Sequence, residues 1–250
     1  MQHPLSPINP KTFNQTMKIQ DPTQSRVCNE IELLRSELPL QGTRIIELGC
    51  GRADKTRAIA ATGLPAAIVA LEVDQRQHQK NLAREALPQV EFVLGGAEAI
   101  PYADASFDFV LMFKSLHHVP REQMADALSE IRRVLRPGGT AWISEPVYAG
   151  DFNDIMRIFH DEQDVREAAF AAVRQAVASG QFALRKQLFF NVRNYFSDFD
   201  EFDRRMIQVT HTDHRLSAGT YARVRDRFES FMTPAGATFY TPQRVDLLAK

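Results

Sequence analysis

A glycine-rich turn and a downstream acid are the residues of this chain whose types and spacing could do chemistry. The segment Glu47–Gly51 (Glu-Leu-Gly-Cys-Gly) lies between a predicted strand and a predicted helix, and Glu72 ends the next predicted strand. Glycines let the backbone turn sharply and let a ligand approach it closely. A carboxylate roughly 20 residues after such a turn accepts hydrogen bonds from ribose hydroxyls. Together these features predict a site for an adenosine-bearing ligand.

The residues around the turn favour S-adenosylmethionine (SAM) over a dinucleotide. The dinucleotide fingerprint has a third glycine where this chain has Asp54. Asp54 also adds negative charge to the first helical turn, where a pyrophosphate would otherwise bind. SAM has no phosphate and carries an ammonium and a sulfonium, so the acids Glu47 and Asp54 suit it better. An NAD-dependent enzyme is the less favoured alternative.

The elements that would position this site alternate between strands and helices. Apolar strands separated by amphipathic helices predict an α/β fold with a parallel sheet covered on both faces. The carboxyl ends of such strands form the natural binding edge. The predicted strands are Arg44–Leu48, Ala67–Val73, Val90–Leu94, Phe107–Phe113 and Thr140–Ser144. The predicted helices are Thr23–Leu38, Arg52–Thr62, Arg76–Leu87 and one after Pro120 with the seam Met124, Leu128, Ile131 and Leu135, which Pro137, Gly138 and Gly139 end.

The alternation stops after Gly150, and 12 of the 17 phenylalanines follow that point. The pattern predicts helices over Asp151–Ser179 and Tyr221–Phe231, with candidate strands at Gln187–Val192 and Thr238–Leu247. We therefore expect three regions. They are an N-terminal arm and helix (1–39), a SAM-binding core (40–150), and a helical, phenylalanine-rich extension (151–250) that completes the sheet and covers the substrate site.

Composition excludes several other classes of protein. The chain has 250 residues, 44% hydrophobic and 24% charged, with a formal net charge of -1. A nearly neutral total gives no reason to expect a nucleic acid partner. No apolar run is long enough for a membrane span, and prolines near the N-terminus do not fit a signal peptide. Two cysteines without CxxC spacing predict neither a zinc site nor a disulfide scaffold. We expect a cytoplasmic protein.

Four motifs in order resemble the class I SAM-dependent methyltransferases, in the branch that includes the ubiquinone/menaquinone-biosynthesis type. The resemblance implies a Rossmann-like fold with the seven-stranded methyltransferase sheet, and methyl transfer from SAM to a small-molecule acceptor. A non-catalytic subunit that binds SAM or S-adenosylhomocysteine (SAH) is the alternative. The motifs are Glu47–Gly51, Gly96–Tyr102 with Ser106–Val110, Leu116–Val119, and Arg133–Gly139.

The same resemblance implies contacts around SAM. The implied contacts are Glu47 (through water), Gly49, Cys50 and Gly51 for the methionine part, Glu72 for the ribose, Val73 and Ala97 for the adenine, and Met112 and Phe113 for the sulfonium. Two positions depart from the family pattern. Ala53 replaces a third glycine, so we expect the loop to have no positive φ at that position. Gly96 replaces an aspartate that commonly binds the adenine amine, so that either affinity is lower or Glu98 compensates.

No general base can be assigned from the sequence. His117, Glu145 and Tyr148 are the candidates for a catalytic role, because they follow strands at the binding edge. Lys114, at the exit of the same strand as His117, either faces the pocket or is an ordinary solvated lysine, and the sequence favours neither alternative. The segment 211–214 contains two histidines and an aspartate but falls short of a metal site, so we expect no metal. The extension could be a lid over the substrate or the face of a homodimer.

Overall fold

One mixed sheet dominates the computed structural model, which describes residues 16–209 and 214–250. Its strands, in chain order, are β1 (Arg44–Leu48), β2 (Ala67–Glu72), β3 (Val90–Leu94), β4 (Phe107–Phe113), β5 (Leu135–Pro146), β6 (Ala183–Phe196) and β7 (Ala237–Ala249). Their spatial order is β3-β2-β1-β4-β5-β7-β6. Strands β1 to β5 run parallel, whereas β7 is antiparallel to both β5 and β6.

Helices cover both faces of this sheet. They are α1 (Glu30–Glu37), α2 (Asp54–Ala60), α3 (Gln75–Leu82), α4 (Met124–Val134), α5 (Asp151–Met156), α6 (Gln163–Ala178), α7 (Phe199–Phe202), continued by a π-helical turn at Asp203–Ile207, and α8 (Ala218–Glu229). Short 3₁₀ turns lie at Leu116–His118 and Arg121–Gln123. In the described part of the chain, no helix combines the length and the apolar character that crossing a membrane needs.

The parallel half of the sheet follows the sequence prediction closely, since β1, β3 and β4 have the predicted bounds. These strands are apolar because helices bury both of their faces. The apolar side chains on one face pack with those of α4 and α6, and those on the other face pack with α1 and α2. Strand β5 is longer than predicted: it begins at Leu135 and includes the Pro-Gly-Gly segment that also ends α4.

Three predicted helices are wrong in extent. The helix predicted at Arg76–Leu87 is α3, which ends at Leu82. The first helix of the chain was expected from Thr23, but α1 begins at Glu30, where the Asn29 side chain accepts the N–H groups of Ile31 and Glu32 at 2.8 and 3.4 Å. The residues before it instead pair with the outer strand, through a parallel bridge between Val27 and Asn191. This pairing covers part of an edge that would otherwise expose unpaired backbone groups.

The predicted helix Asp151–Ser179 is divided into α5 and α6, and Asp161 and Glu162 lie in the break between them. The extension is also less helical than expected, because β6 and β7 are the longest strands in the described chain, with 14 and 13 residues. These strands pair antiparallel with each other, and β7 pairs antiparallel with β5. The alternating region predicts a parallel sheet, and the sequence pattern predicts no direction for the strands of the extension.

The extension also rises above the carboxyl edge of the parallel strands. The last pair between β5 and β7 joins Pro146 and Gln243, whereas β6 and β7 stay paired as far as Phe196 and Ala237. The part of the β6–β7 pair that projects beyond β5 is about 20 Å long at the usual rise per residue. Helices α5, α7 and α8 pack against it through a phenylalanine-rich cluster. Its buried aromatic members are Phe196, Phe199, Phe202, Phe228 and Phe239.

Candidate functional site

The glycine turn after β1 is held against the loop that follows β4. Gly49 has φ +70°, and a Cβ added there would lie 2.8 Å from the Cβ of Ser115. The Ser115 hydroxyl donates to the Leu48 carbonyl at 2.7 Å, which fixes the close approach of the two segments. Glycine is required at position 49 for both reasons, because a side chain would be strained and would clash.

Glu72 lies directly beside the turn. Its carboxylate accepts the Gly51 N–H at 2.6 Å and the Asp74 N–H at 2.9 Å. An ionised carboxylate has about four acceptor positions, so two backbone N–H groups leave capacity for ribose hydroxyls. The structure thus brings together the two features on which the sequence prediction of an adenosine site depends.

Ala53 has φ +57°, so the expectation of a loop without positive φ there was wrong. The residue lies immediately before α2 and has the left-handed conformation that usually favours glycine. Its methyl group is buried against Cys50 and Ala70. This packing contact offsets part of the free-energy cost of a left-handed backbone conformation at an alanine.

Glu47 is buried below the turn and accepts the Thr56 hydroxyl at 2.6 Å. Burial raises the pKa of Glu47 to about 7, although the hydrogen bond from Thr56 and the charge of Lys55 lower it. A cation placed near Glu47 would favour the ionised form. The position therefore suits the ammonium of SAM, as the resemblance implies.

The apolar side chains implied at the adenine and the sulfonium differ in exposure. Val73, just after β2, is 69% exposed, and Leu94 at the end of β3 is 48% exposed. Both therefore offer apolar surface to a flat ring at the carboxyl edge. Met112 is only 1% exposed and Phe113 is 9% exposed, so the structure places both of these side chains in the core of the sheet.

Glu98 occupies the space that a side chain at position 96 would fill. A Cβ added to Gly96 would lie 2.2 and 2.3 Å from the two carboxylate oxygens of Glu98. Ala97 between them is buried. The Glu98 carboxylate thus lies where the side chain of an aspartate at position 96 would begin. This is the position that Glu98 needs in order to bind the adenine amine in place of that aspartate.

His117 is clamped between two acids and is only 4% exposed. Its Nδ1 is hydrogen-bonded to Glu145 on β5, and its Nε2 lies 3.7 Å from Glu162, just before α6. Burial would lower the pKa of His117, but the two carboxylates outweigh it and raise the pKa to about 9. The imidazole is therefore protonated at neutral pH.

Glu145 and Glu162 are themselves held by further partners. Glu145 accepts the Leu116 N–H at 3.0 Å, and Glu162 pairs with Arg166 at 2.6 Å and with His160 at 2.9 Å. Burial would raise the pKa of both carboxyls, but the positive charges around them lower it instead. The group is a buried ionic network that joins β5, the β4 exit and α6.

The remaining candidates are less closely engaged. Tyr148 lies after β5, and partial burial together with a hydrogen bond to Asp161 raises its pKa. Among the described residues, His117, His118 and Glu162 bring possible metal-ligand atoms within 4.8 Å of one another. Since Arg166 already neutralises Glu162, we assign no metal to them. The candidate segment 211–214 lies outside the described residues except for His214.

Several residues that shape the site were missed by sequence reasoning. The Asn81 side-chain amide donates to the Gly51 carbonyl at 2.7 Å and so supports the glycine turn from α3. Glu30 on α1 is buried, accepts the Ser144 hydroxyl, and pairs with Lys55 at 2.9 Å. Nothing in the sequence marks these residues, because each contact joins segments that only the fold brings together.

Comparison with known proteins agrees with this geometry. Residues 46–143 match the family model described as a methyltransferase domain. Over 88% of this chain, the structure is similar to the YcgJ protein from Bacillus subtilis, with a TM-score of 0.62, 16% identity and 97% of that chain covered. The predicted fold class is confirmed: the chain has the Rossmann-like α/β fold of the methyltransferases.

Two curated relatives are similar to half of the chain or less. The phthiotriol/phenolphthiotriol dimycocerosates methyltransferase 1 of Mycobacterium ulcerans is 32% identical over 50% of this chain and 45% of its own length. The fatty-acid O-methyltransferase of Mycolicibacterium smegmatis is 35% identical over 42% of this chain and 37% of its own length. The chain thus matches less than half the length of either relative.

Proposed function

We propose that this protein transfers the methyl group of SAM to a small apolar acceptor bound between the carboxyl edge and the extension. The observation that carries the proposal is the contact of Glu72 with the Gly51 N–H, since it forms a ribose-binding corner beside a glycine turn. The exposed Val73 next to it offers a surface for adenine. The names of the two relatives, both methyltransferases and one acting on fatty acids, support the proposed reaction and an apolar acceptor.

Methyl transfer from a sulfonium is an in-line displacement, so the enzyme mainly aligns the donor with the acceptor and excludes water. Good alignment alone can contribute about 7–11 kcal/mol to lowering the barrier. We propose different roles for the two halves of the fold. The projecting part of the β6–β7 pair, with its helices, encloses the acceptor. The parallel core holds SAM through Glu47, Gly49, Cys50, Gly51, Glu72, Val73, Ala97 and Glu98.

The geometry supports a positioning role for His117 and Glu145. A general base must have a free acceptor position near the proton that it removes, whereas His117 has its two ring nitrogens directed at Glu145 and Glu162. We propose that this clamp fixes the floor of the acceptor site and ties α6 to the sheet.

Exchanging the carboxylate between positions 96 and 98 tests the adenine contact. We expect Glu98→Ala to weaken SAM binding about 10-fold, the loss of one hydrogen bond to a charged group. The double variant Glu98→Ala/Gly96→Asp should restore most of the affinity, because removing the Glu98 carboxylate clears the space for a side chain at 96. Isothermal titration calorimetry measures both.

Glu91→Ala is the matched control for this exchange, since Glu91 on β3 contacts Tyr102 and not the proposed adenine position. It should leave the affinity for SAM unchanged. If Glu98→Ala binds SAM as tightly as the wild type, Glu98 does not contact the adenine.

The proposed activity is tested by calorimetry with SAM and with NADH, followed by an acceptor screen with methyl-labelled SAM. We expect SAM to bind, NADH not to bind, and label to pass into an apolar product. Binding of SAM without turnover on any extract fraction would favour the non-catalytic SAM- or SAH-binding subunit. Binding of NADH without SAM would establish the nicotinamide alternative.

We propose four further features of the protein. The motif resemblance supports a place in the ubiquinone/menaquinone-biosynthesis type. The two cysteines, both unpaired thiols, are consistent with a cytoplasmic location. We keep the division at residues 39 and 150 as the domain proposal. A homodimer stays a prediction, to be checked by light scattering.

A further inference from the structure

Lys114 follows β4 at the centre of the carboxyl edge. Its backbone N–H donates to the Ser144 carbonyl at 2.7 Å, and its φ of +58° is unusual for a residue with a side chain. Such strained residues cluster at functional sites. The turn redirects the chain directly after β4, and Lys114 remains exposed although its neighbours on both sides are buried.

The charged groups around Lys114 form ion pairs with one another or with other residues. The charged groups that act on it are Glu30 and Lys55 on one face of the sheet, and Glu145 and Arg166 on the other. Each of these four groups already has a partner: Glu30 pairs with Lys55, Glu145 with His117, and Arg166 with Glu162. Among the described residues, the ion pairs at this edge use Glu30, Glu145 and Glu162 and do not include Lys114.

The protein around Lys114 makes its positive charge less favourable than in water, although the residue is exposed. Crowding by the surrounding protein lowers the pKa of Lys114, and the positive charges of Lys55 and Arg166 lower it further, against the opposite effect of the two acids. An anion bound at the ammonium would reverse this cost. The site therefore favours a ligand that brings its own negative charge.

A cavity begins close to Lys114 along the same edge. Phe113 is paired with Ser144 on β5, and the residues that follow β5, Val147 and Ala149, line a cavity of about 360 Å³. Its other walls combine apolar side chains, such as Phe189 and Pro242, with polar ones, such as Asp21 and Asn191. From strand spacing and rise, the cavity begins about 10 Å from Lys114. Its volume lies in the range of pockets for small ligands.

We propose that the methyl acceptor is a carboxylic acid with an apolar tail, whose carboxylate binds Lys114 and whose tail enters the cavity beyond β5. The inference rests on the proposed methyl transfer from SAM. In the reaction, a carboxylate oxygen forms a bond to the methyl carbon while the carbon–sulfur bond breaks and its electron pair stays on sulfur. The products are a methyl ester and SAH. The charges of carboxylate and sulfonium cancel, and no proton moves.

This chemistry fits the histidine clamp. A carboxylic acid is already ionised at neutral pH, because its pKa is near 4. It needs no general base, so the engagement of both nitrogens of His117 is no obstacle to the reaction. An alcohol or phenol acceptor would instead have to lose a proton.

The test compares three acceptors of equal chain length: dodecanoic acid, dodecanol and dodecylamine, each with methyl-labelled SAM. We expect the methyl ester of the acid, detected by mass spectrometry, and at least 100-fold less product from the other two. Lys114→Met should raise the KM for the acid at least 10-fold without changing the affinity for SAM. Lys114→Arg should retain most of the activity, because it keeps the charge and the same backbone cost.

The tail is tested separately with Ala149→Phe, which narrows the cavity. We expect the preferred acid to become shorter, while the effect of Lys114→Met stays the same. Methylation of the alcohol or amine but not of the acid would overturn this inference and leave the proposed function intact. Binding of SAM with no turnover of acids of any length would also overturn it, whereas a failure of SAM binding would overturn the proposed function itself.

Discussion

Glu72→Ala is expected to lower the affinity for SAM about 100-fold, which corresponds to about 3 kcal/mol. The carboxylate has two tasks: it accepts the N–H groups of Gly51 and Asp74, and in the proposed complex it accepts the ribose hydroxyls. Hydrogen bonds to charged groups contribute about 1.5–3 kcal/mol each, so loss of the ribose contact and loosening of the turn add up. Calorimetry at fixed pH measures the change.

Two further variants separate binding from folding. Glu72→Gln keeps an acceptor for the Gly51 N–H and loses the charge, so its affinity should lie between those of the wild type and the alanine variant. Glu85→Ala removes an exposed carboxylate on the surface after α3 and should change nothing. Thermal unfolding shows whether each variant is folded. An alanine variant that is folded and binds SAM normally would remove Glu72 from the site.

The second large effect concerns stability at alkaline pH. The pKa of His117 rises from 6.5 in a free imidazole to about 9 in the folded protein. Since the folded pKa is the higher one, the stabilising contribution is complete below about pH 6.5 and is lost as the pH rises through about 9. The shift corresponds to about 3 kcal/mol. We expect His117→Gln to be less stable than the wild type by about that amount at pH 6.5, and to approach it at pH 9.5.

Urea unfolding at several pH values measures the difference between the two proteins. The difference reports on His117 together with Glu145 and Glu162, whose pKa values His117 lowers. Titrating groups outside this network, such as Glu47 and Cys50, are common to both proteins. Glu145→Gln should remove a similar pH dependence, and the double variant should add little, since both residues belong to one ion pair. A wild-type and a His117→Gln protein with parallel stability profiles would contradict the clamp.

Local sequence was sufficient for the parallel core. Strands β1, β3 and β4 were predicted with their observed bounds, because a strand buried on both faces is a short apolar run that ends at a turn residue. The turn at Gly49–Gly51 and the acid at Glu72 were predicted for the same reason: the constraint on each lies within its own segment. The motif resemblance was specific over this region.

The antiparallel half was predicted less well. Strand β6 lies at the edge of the sheet, and along it buried residues such as Leu184 and Phe190 are separated by exposed or half-buried ones. That pattern is weak because one face and one edge of the strand contact solvent. The sequence therefore indicated only a short strand in the region of β6. The full length of β6 comes from its pairing with β7.

The sequence by itself determined the glycine turn after β1 and the acid that ends β2, the proposed adenosine-binding corner, because turn chemistry and strand burial are properties of consecutive residues. Only the tertiary structure decided which charges are paired. It brings Glu145 and Glu162 to His117, places the Glu98 carboxylate over Gly96, and, among the described residues, leaves Lys114 outside the ion pairs at the carboxyl edge. Electrostatic partners act through space over a few ångströms, so their identity depends on how distant segments pack, and no local pattern encodes it.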